Sequence, residues 1–150
     1  MTNGISYEEY LENNDRLIYT NVGVSMLPLL RQGKDLFIVE KKGKKRCRVG
    51  DVVLYKRPPD KYVLHRIIEV TPTGYTILGD NCVAKEYDIK DKAIIGIMTG
   101  YVRNGKEHSV NERGYKTYTL LWLTFNPLRV FLKRVILKLK RIAKKILKGG

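Results

Sequence analysis

Hydrophobic residues in the first two thirds of the chain gather in short runs, separated by stretches rich in glycine, proline and charge. Leu17-Ile18-Tyr19-Thr20-Asn21-Val22, Leu36-Phe37-Ile38-Val39, Val52-Val53-Leu54-Tyr55 and Tyr75-Thr76-Ile77-Leu78 favour β-branched and aromatic residues, are too short for helices, and predict strands. Tyr62 to Val70 alternates or nearly so. Pro72-Thr73-Gly74 then predicts a turn that joins it to Tyr75–Leu78 as a hairpin. The basic run Lys41 to Arg48, with Gly43 inside it, reads as an exposed turn pairing the strands at Leu36–Val39 and Val52–Tyr55. Ile94 to Val102 is a further strand, in which Gly96 and Gly100 suit a bend or bulge.

Helical signals stand at the two ends. Ser6-Tyr7-Glu8-Glu9 fits a capping box for a short helix over about residues 6–14, with Tyr7, Tyr10 and Leu11 on one face. From Pro127 onward the period changes to helical: Leu128, Phe131, Leu132, Val135, Ile136, Leu139, Ile142, Ala143, Ile146 and Leu147 fall within an arc of roughly 160°, and lysines and arginines fill the remainder. The pattern predicts a mainly β fold with a short N-terminal helix and a C-terminal amphipathic, cationic helix. A length of 150 residues suits one core, read as a β domain over 1–119 followed by the basic helix over 120–150.

Charge sharpens the reading of that tail. The net charge is +14, and from Leu120 onward nine lysines and arginines meet no acidic residue, which leaves only +5 for the first 119 residues. An apolar arc beside so many cations suits an anionic membrane surface, with Trp122, Phe125 and Phe131 at the interface, or packing on the β body or a partner with the charges solvated, better than a nucleic-acid groove. No secretory signal opens the sequence, and the longest apolar stretch, near Leu120 to Phe125, is far short of a bilayer span. The expected location is the cytoplasm, peripheral at the inner face of the membrane. Cys47 and Cys82 form no Cys-x-x-Cys pair, and with only His65 and His108 beside them the expectation is free thiols and no metal or other cofactor.

Three local patterns carry chemistry: Ser25-Met26-Leu27-Pro28 just after a strand, His65-Arg66-Ile67 within one, and Gly79-Asp80-Asn81 just beyond another. A serine hydroxyl needs a base to become a nucleophile, and histidine titrates where that work is done at neutral pH. Together with Gly50-Asp51-Val52-Val53, these segments resemble the signal peptidase and LexA-like serine peptidase clan over about Leu17 to Tyr101. His65-Arg66 is similar to its histidine-type, endoplasmic-reticulum and archaeal members rather than to those with a lysine base.

The resemblance implies a curled β-sheet, Ser25 as nucleophile, His65 as general base, and a peptide or preprotein substrate lying as an added strand. It also implies a catalytic aspartate six residues beyond Asp80, where this chain has Glu86, so Asp80 and Glu86 stand as rival partners of His65. Gly23 replaces a serine that in many relatives contributes to the oxyanion hole, which puts more of that work on the Ser25 backbone N–H. The expected function is a serine endopeptidase of the signal peptidase type acting on a preprotein or leader peptide. The alternative is a catalytically inactive module that holds peptides at a membrane surface. Cys82, next to Asn81, reads as a small buried thiol rather than as a nucleophile.

Overall fold

In Val52-Val53-Leu54-Tyr55 every side chain is buried, so this strand needs cover on both faces. The computed structural model, which describes residues 4–148, provides it with an eight-stranded antiparallel sheet, a helix at each end of the chain and a long loop. The elements are α1 (Tyr7–Asn13), β1 (Arg16–Thr20), β2 (Leu36–Lys41), β3 (Val52–Arg57), β4 (Lys61–Val70), β5 (Tyr75–Leu78), β6 (Glu86–Ile89), β7 (Ile94–Arg103), β8 (Lys106–Ser109) and α2 (Arg113–Lys148). Val52 and Leu54 join a core cluster with Leu11, Leu17, Met26 and Leu30, whereas Val53 and Tyr55 join another with Ile67, Tyr75 and Ile77. Alternate residues of one strand thus feed two cores.

The sheet order is β1-β2-β7-β3-β4-β5-β6, with β8 also paired to β7. The expected pairing of β2 with β3 is therefore incorrect: β7 lies between them and pairs with both. Glycine makes the insertion possible, because a Cβ on Gly96 would lie 2.3 Å from Val39 Cγ1 and 2.6 Å from the Glu40 carbonyl oxygen. The β2–β7 and β3–β7 registers shift at Ile38/Val39 and Leu54/Tyr55, irregularities that bend a sheet. The β4–β5 hairpin forms as its turn residues imply. The Ser6 hydroxyl caps α1 by accepting from the Glu9 N–H at 3.1 Å.

The C-terminal helix starts earlier than its cationic pattern suggests. It begins at Arg113 and passes through Pro127, which removes one helical hydrogen bond at a cost of about 3 kcal/mol. Tertiary packing offsets this, since Trp122, Asn126 and Val130 are buried on either side of the proline. Trp122 is not at an exposed interface: it is 8% exposed, and its Nε1–H donates to the Asp80 carbonyl at 3.1 Å. Phe125 and Phe131 are exposed.

Candidate active site

Ser25 sits in the irregular loop between β1 and β2. Met26, Leu29 and Leu30 are buried, and Asp35 pins the end of the loop. Its carboxylate accepts from the Arg31 backbone at 2.8 Å, from Arg31 Nη2 at 2.8 Å and from Arg103 Nη2 at 2.7 Å, while Arg103 also donates to the Leu29 carbonyl at 2.7 Å. Burial opposes the charge on Asp35, but the two guanidinium groups win and hold its carboxyl well below the usual carboxylate range. Ser25 is left half-buried, and its backbone N–H donates to no partner among the described residues. Asp35 and Arg103 are remote from each other in sequence and follow no motif, so local pattern carries no signal of them.

His65 lies on β4 opposite Val53, one step diagonal to Tyr55. Its Nδ1 is 3.2 Å from Glu86 Oε1. The same carboxylate accepts from the Tyr55 hydroxyl at 2.7 Å, from Arg57 Nε at 2.9 Å and from Arg57 Nη2 at 2.5 Å. Desolvation pushes Glu86 up, yet hydrogen bonds from Arg57 and Tyr55 hold it below the ordinary glutamate value, so it stays ionised beside the imidazole. Tyr55 and Arg57 were not anticipated as site residues. Their i, i+2 spacing on β3 was the available signal, since it puts them on one face of the strand.

Asp80 lies just beyond β5 but has a different employment. It pairs with Arg66 through two bonds, Nε to Oδ1 at 2.8 Å and Nη2 to Oδ2 at 2.7 Å, with both side chains fully buried. The Tyr118 hydroxyl donates to Asp80 Oδ2 at 2.8 Å, and Arg66 Nη1 donates to the Gly50 carbonyl at 2.8 Å. Tyr115, Tyr118 and Trp122 all present rings to the guanidinium, at 5.9, 5.7 and 5.3 Å. Of the two rival carboxylates, Glu86 meets His65, and Asp80 joins α2 to the sheet.

The two halves of the site converge at Gly79. A Cβ there would stand 2.8 Å from His65 Nε2, 2.8 Å from the Ser25 carbonyl oxygen and 2.7 Å from Cys82 Sγ. Only glycine lets the segments approach this closely. The next turn fastens them: the Asn81 backbone donates to the Ser25 carbonyl at 2.8 Å, and its side-chain Nδ2 donates to the Val24 carbonyl at 3.0 Å. Helix α2 holds this loop in turn, with Arg129 Nη2 donating to the Cys82 carbonyl at 2.7 Å and Lys133 Nζ donating to Asn81 Oδ1 at 2.6 Å.

Ser25, His65, Asn81 and Cys82 line one cleft of about 850 Å³. Among the described residues Ser25 Oγ makes no hydrogen bond to His65, a contact that commonly tightens only when substrate is bound. Burial pushes the Cys82 thiol up, so at neutral pH it is protonated and a poor nucleophile. The cleft has a backbone edge as well, because β4 pairs with β3 over Lys61–Arg66 but with β5 only from Arg66 onward. Ile67 exchanges its bonds with Gly50 and Asp51, so by strand alternation Tyr62 and Leu64 turn their peptide groups toward the unpaired edge. Val22, Gly23 and Val24 line the same cleft.

No protein-family model, curated protein or solved structure matches this chain. The site's own geometry carries its chemistry. It contains a hydroxyl, an imidazole oriented by an ionised carboxylate, an unpaired backbone N–H at the serine, and an open strand edge.

Burial pushes the His65 imidazole below its ordinary value of 6.5; Glu86 opposes this shift and Arg57 adds to it. The neutral imidazole, which is the form able to accept a proton, thus persists to lower pH than in a free histidine. Any turnover that uses it should rise with pH along a limb centred below 6.5 and then level off. Stability follows the same sign. Between the folded and unfolded values the unfolded chain binds more protons at this site, so the contribution is present above 6.5 and is lost as pH falls below it. A ring-proton NMR titration of His65 checks the direction, and a midpoint above 6.5 would contradict it.

Proposed function

We propose that this protein is a serine endopeptidase of the signal peptidase type, with Ser25 as nucleophile and His65 as general base. The observation that carries the reading is the placement of His65: the Glu86 carboxylate lies at Nδ1, while Nε2 and the Ser25 carbonyl both come close to Gly79, each within 2.8 Å of where a Cβ would stand. In this mechanism Nε2 takes the proton of the serine hydroxyl as Oγ attacks the scissile carbonyl, and Glu86 stabilises the imidazolium that results. The Ser25 backbone N–H is the donor available for the developing oxyanion, since Gly23 offers no hydroxyl.

Substrate binds as an extended peptide added to the free edge of β4, using the peptide groups of Tyr62 and Leu64. The scissile bond then reaches the Ser25 end of the cleft. A preprotein or leader peptide fits, because an unfolded segment can enter such a cleft and a folded domain cannot.

Labelling with a fluorophosphonate probe tests the proposal directly. The wild-type chain is expected to take up one equivalent at Ser25, located by peptide mass spectrometry, and labelling is expected to quicken as His65 loses its proton. Ser25→Ala protein should take up none. Absence of labelling in folded wild-type protein that still binds extended peptides would support the other reading, an inactive peptide-holding module.

A further inference from the structure

Helix α2 turns three different faces to its surroundings. At 1.5 Å per residue it is about 54 Å long, and Tyr118, Trp122, Asn126 and Val130 form the side that docks on the body. Beyond Lys133 every described residue is exposed. Phe125, Leu128, Leu132, Leu139, Ile142 and Ile146 are 46–71% exposed, although their spacing of three, four and seven residues aligns them on one stripe. At 100° per residue that stripe lies roughly a third of a turn around the helix from the docking side. The apolar arc is therefore not the one that the β domain covers.

The remaining side is cationic. Arg134, Lys138, Arg141 and Lys145 follow one another at spacings of three and four, where like charges repel, and α2 contains no Asp or Glu to relieve them. Among the described residues Arg134 Nη2 donates to the Val83 carbonyl at 3.3 Å, but none of these four cations meets a carboxylate. A covering surface must present negative charge alongside an apolar layer. A second copy of the chain would set nine more cations against the first, and a polyphosphate backbone offers charge without apolar depth.

We infer that the exposed half of α2 is a docking surface for an anionic phospholipid bilayer, with the Leu128–Ile146 stripe at the acyl boundary and the flanking lysines and arginines among the headgroups. Headgroup charge removes the repulsion along the cationic side while the stripe leaves water, so the helix is more stable on the bilayer than in solution. Arg129 and Lys133 of the same helix hold the loop at Asn81–Cys82, so docking brings the candidate cleft to the membrane surface. The docking itself does not depend on the peptidase reading.

The test is flotation of the full-length protein with vesicles of phosphatidylcholine alone and of phosphatidylcholine containing phosphatidylglycerol. Binding is expected only to the anionic vesicles and should weaken steeply as salt is raised. Lys138→Gln/Arg141→Gln protein should bind roughly 30-fold less tightly, and Leu132→Glu/Leu139→Glu protein should lose binding. These side chains are exposed, so unchanged thermal unfolding should accompany both variants. Equal binding to neutral and anionic vesicles, or none to either, overturns the proposal. So does concentration-dependent dimerisation through the stripe, or RNA binding, in protein that does not float.

Discussion

Asp80→Ala protein is expected to lose about 3–5 kcal/mol of folding stability, the range for removing one partner of a buried, hydrogen-bonded ion pair. The carboxylate neutralises Arg66, a guanidinium with no exposed side-chain surface, and accepts the Tyr118 hydroxyl that ties α2 to the sheet. Without it, Arg66 is a buried charge left with neutral partners, the Gly50 carbonyl and Thr119 hydroxyl among them. The double variant Arg66→Met/Asp80→Ala should recover much of the loss, because no unpaired charge remains. Urea unfolding at pH 7 measures both. If Asp80→Ala protein unfolds within about 1 kcal/mol of wild type yet has lost turnover, Asp80 belongs to the chemistry and its assignment to the scaffold is wrong.

The second large effect falls on turnover. Ser25→Ala and His65→Ala proteins are expected to lose on the order of 10⁴- to 10⁶-fold in kcat on a peptide substrate, because serine and base act as one unit. Their combined loss should be no greater than that of either alone. Glu86→Gln protein should fall on the order of 10²- to 10⁴-fold: the amide still occupies the place beside Nδ1 but cannot stabilise the imidazolium. The same substitution removes the charge that raises the His65 pKa and frees Arg57, which lowers it, so the pH–rate limb should also move further down. A purely structural role for Glu86 would reduce stability without that displacement. Initial-rate kinetics over pH 4.5–8 on wild-type and Glu86→Gln protein, with urea unfolding of both, separate the two roles.

These expectations differ in how far each was legible in the chain. Ser25 and His65 could be singled out because each stands in a local pattern, and the positions of their strands follow from short apolar runs bounded by turn residues. The choice between Asp80 and Glu86 was not legible. Both carboxylates follow β5 closely in sequence, and the decision rests on which side chain each one meets across the sheet. Arg66 is the next residue after His65, so its side chain points to the opposite face of β4 and draws Asp80 away from the imidazole.

The strand order was likewise beyond local pattern. β2 and β3 look like a hairpin because the segment between them is basic and carries a glycine, but a later strand with two glycines takes the place between them. Local sequence encodes which segments extend and where they turn; it does not encode which distant edge a strand will prefer.

By itself the sequence determined the mainly β character, both helices, the nucleophile and base candidates, and an arc of apolar residues beside a cationic one. Each of these depends on residues close together in the chain, through backbone preference, turn chemistry and side-chain periodicity. The tertiary structure decided the pairing of Asp80 with Arg66, the contact of Glu86 with His65, the insertion of β7, the start of α2 at Arg113 and the side on which that helix docks. All of these depend on pairs far apart in sequence, brought together when buried charges find partners and apolar faces find cover.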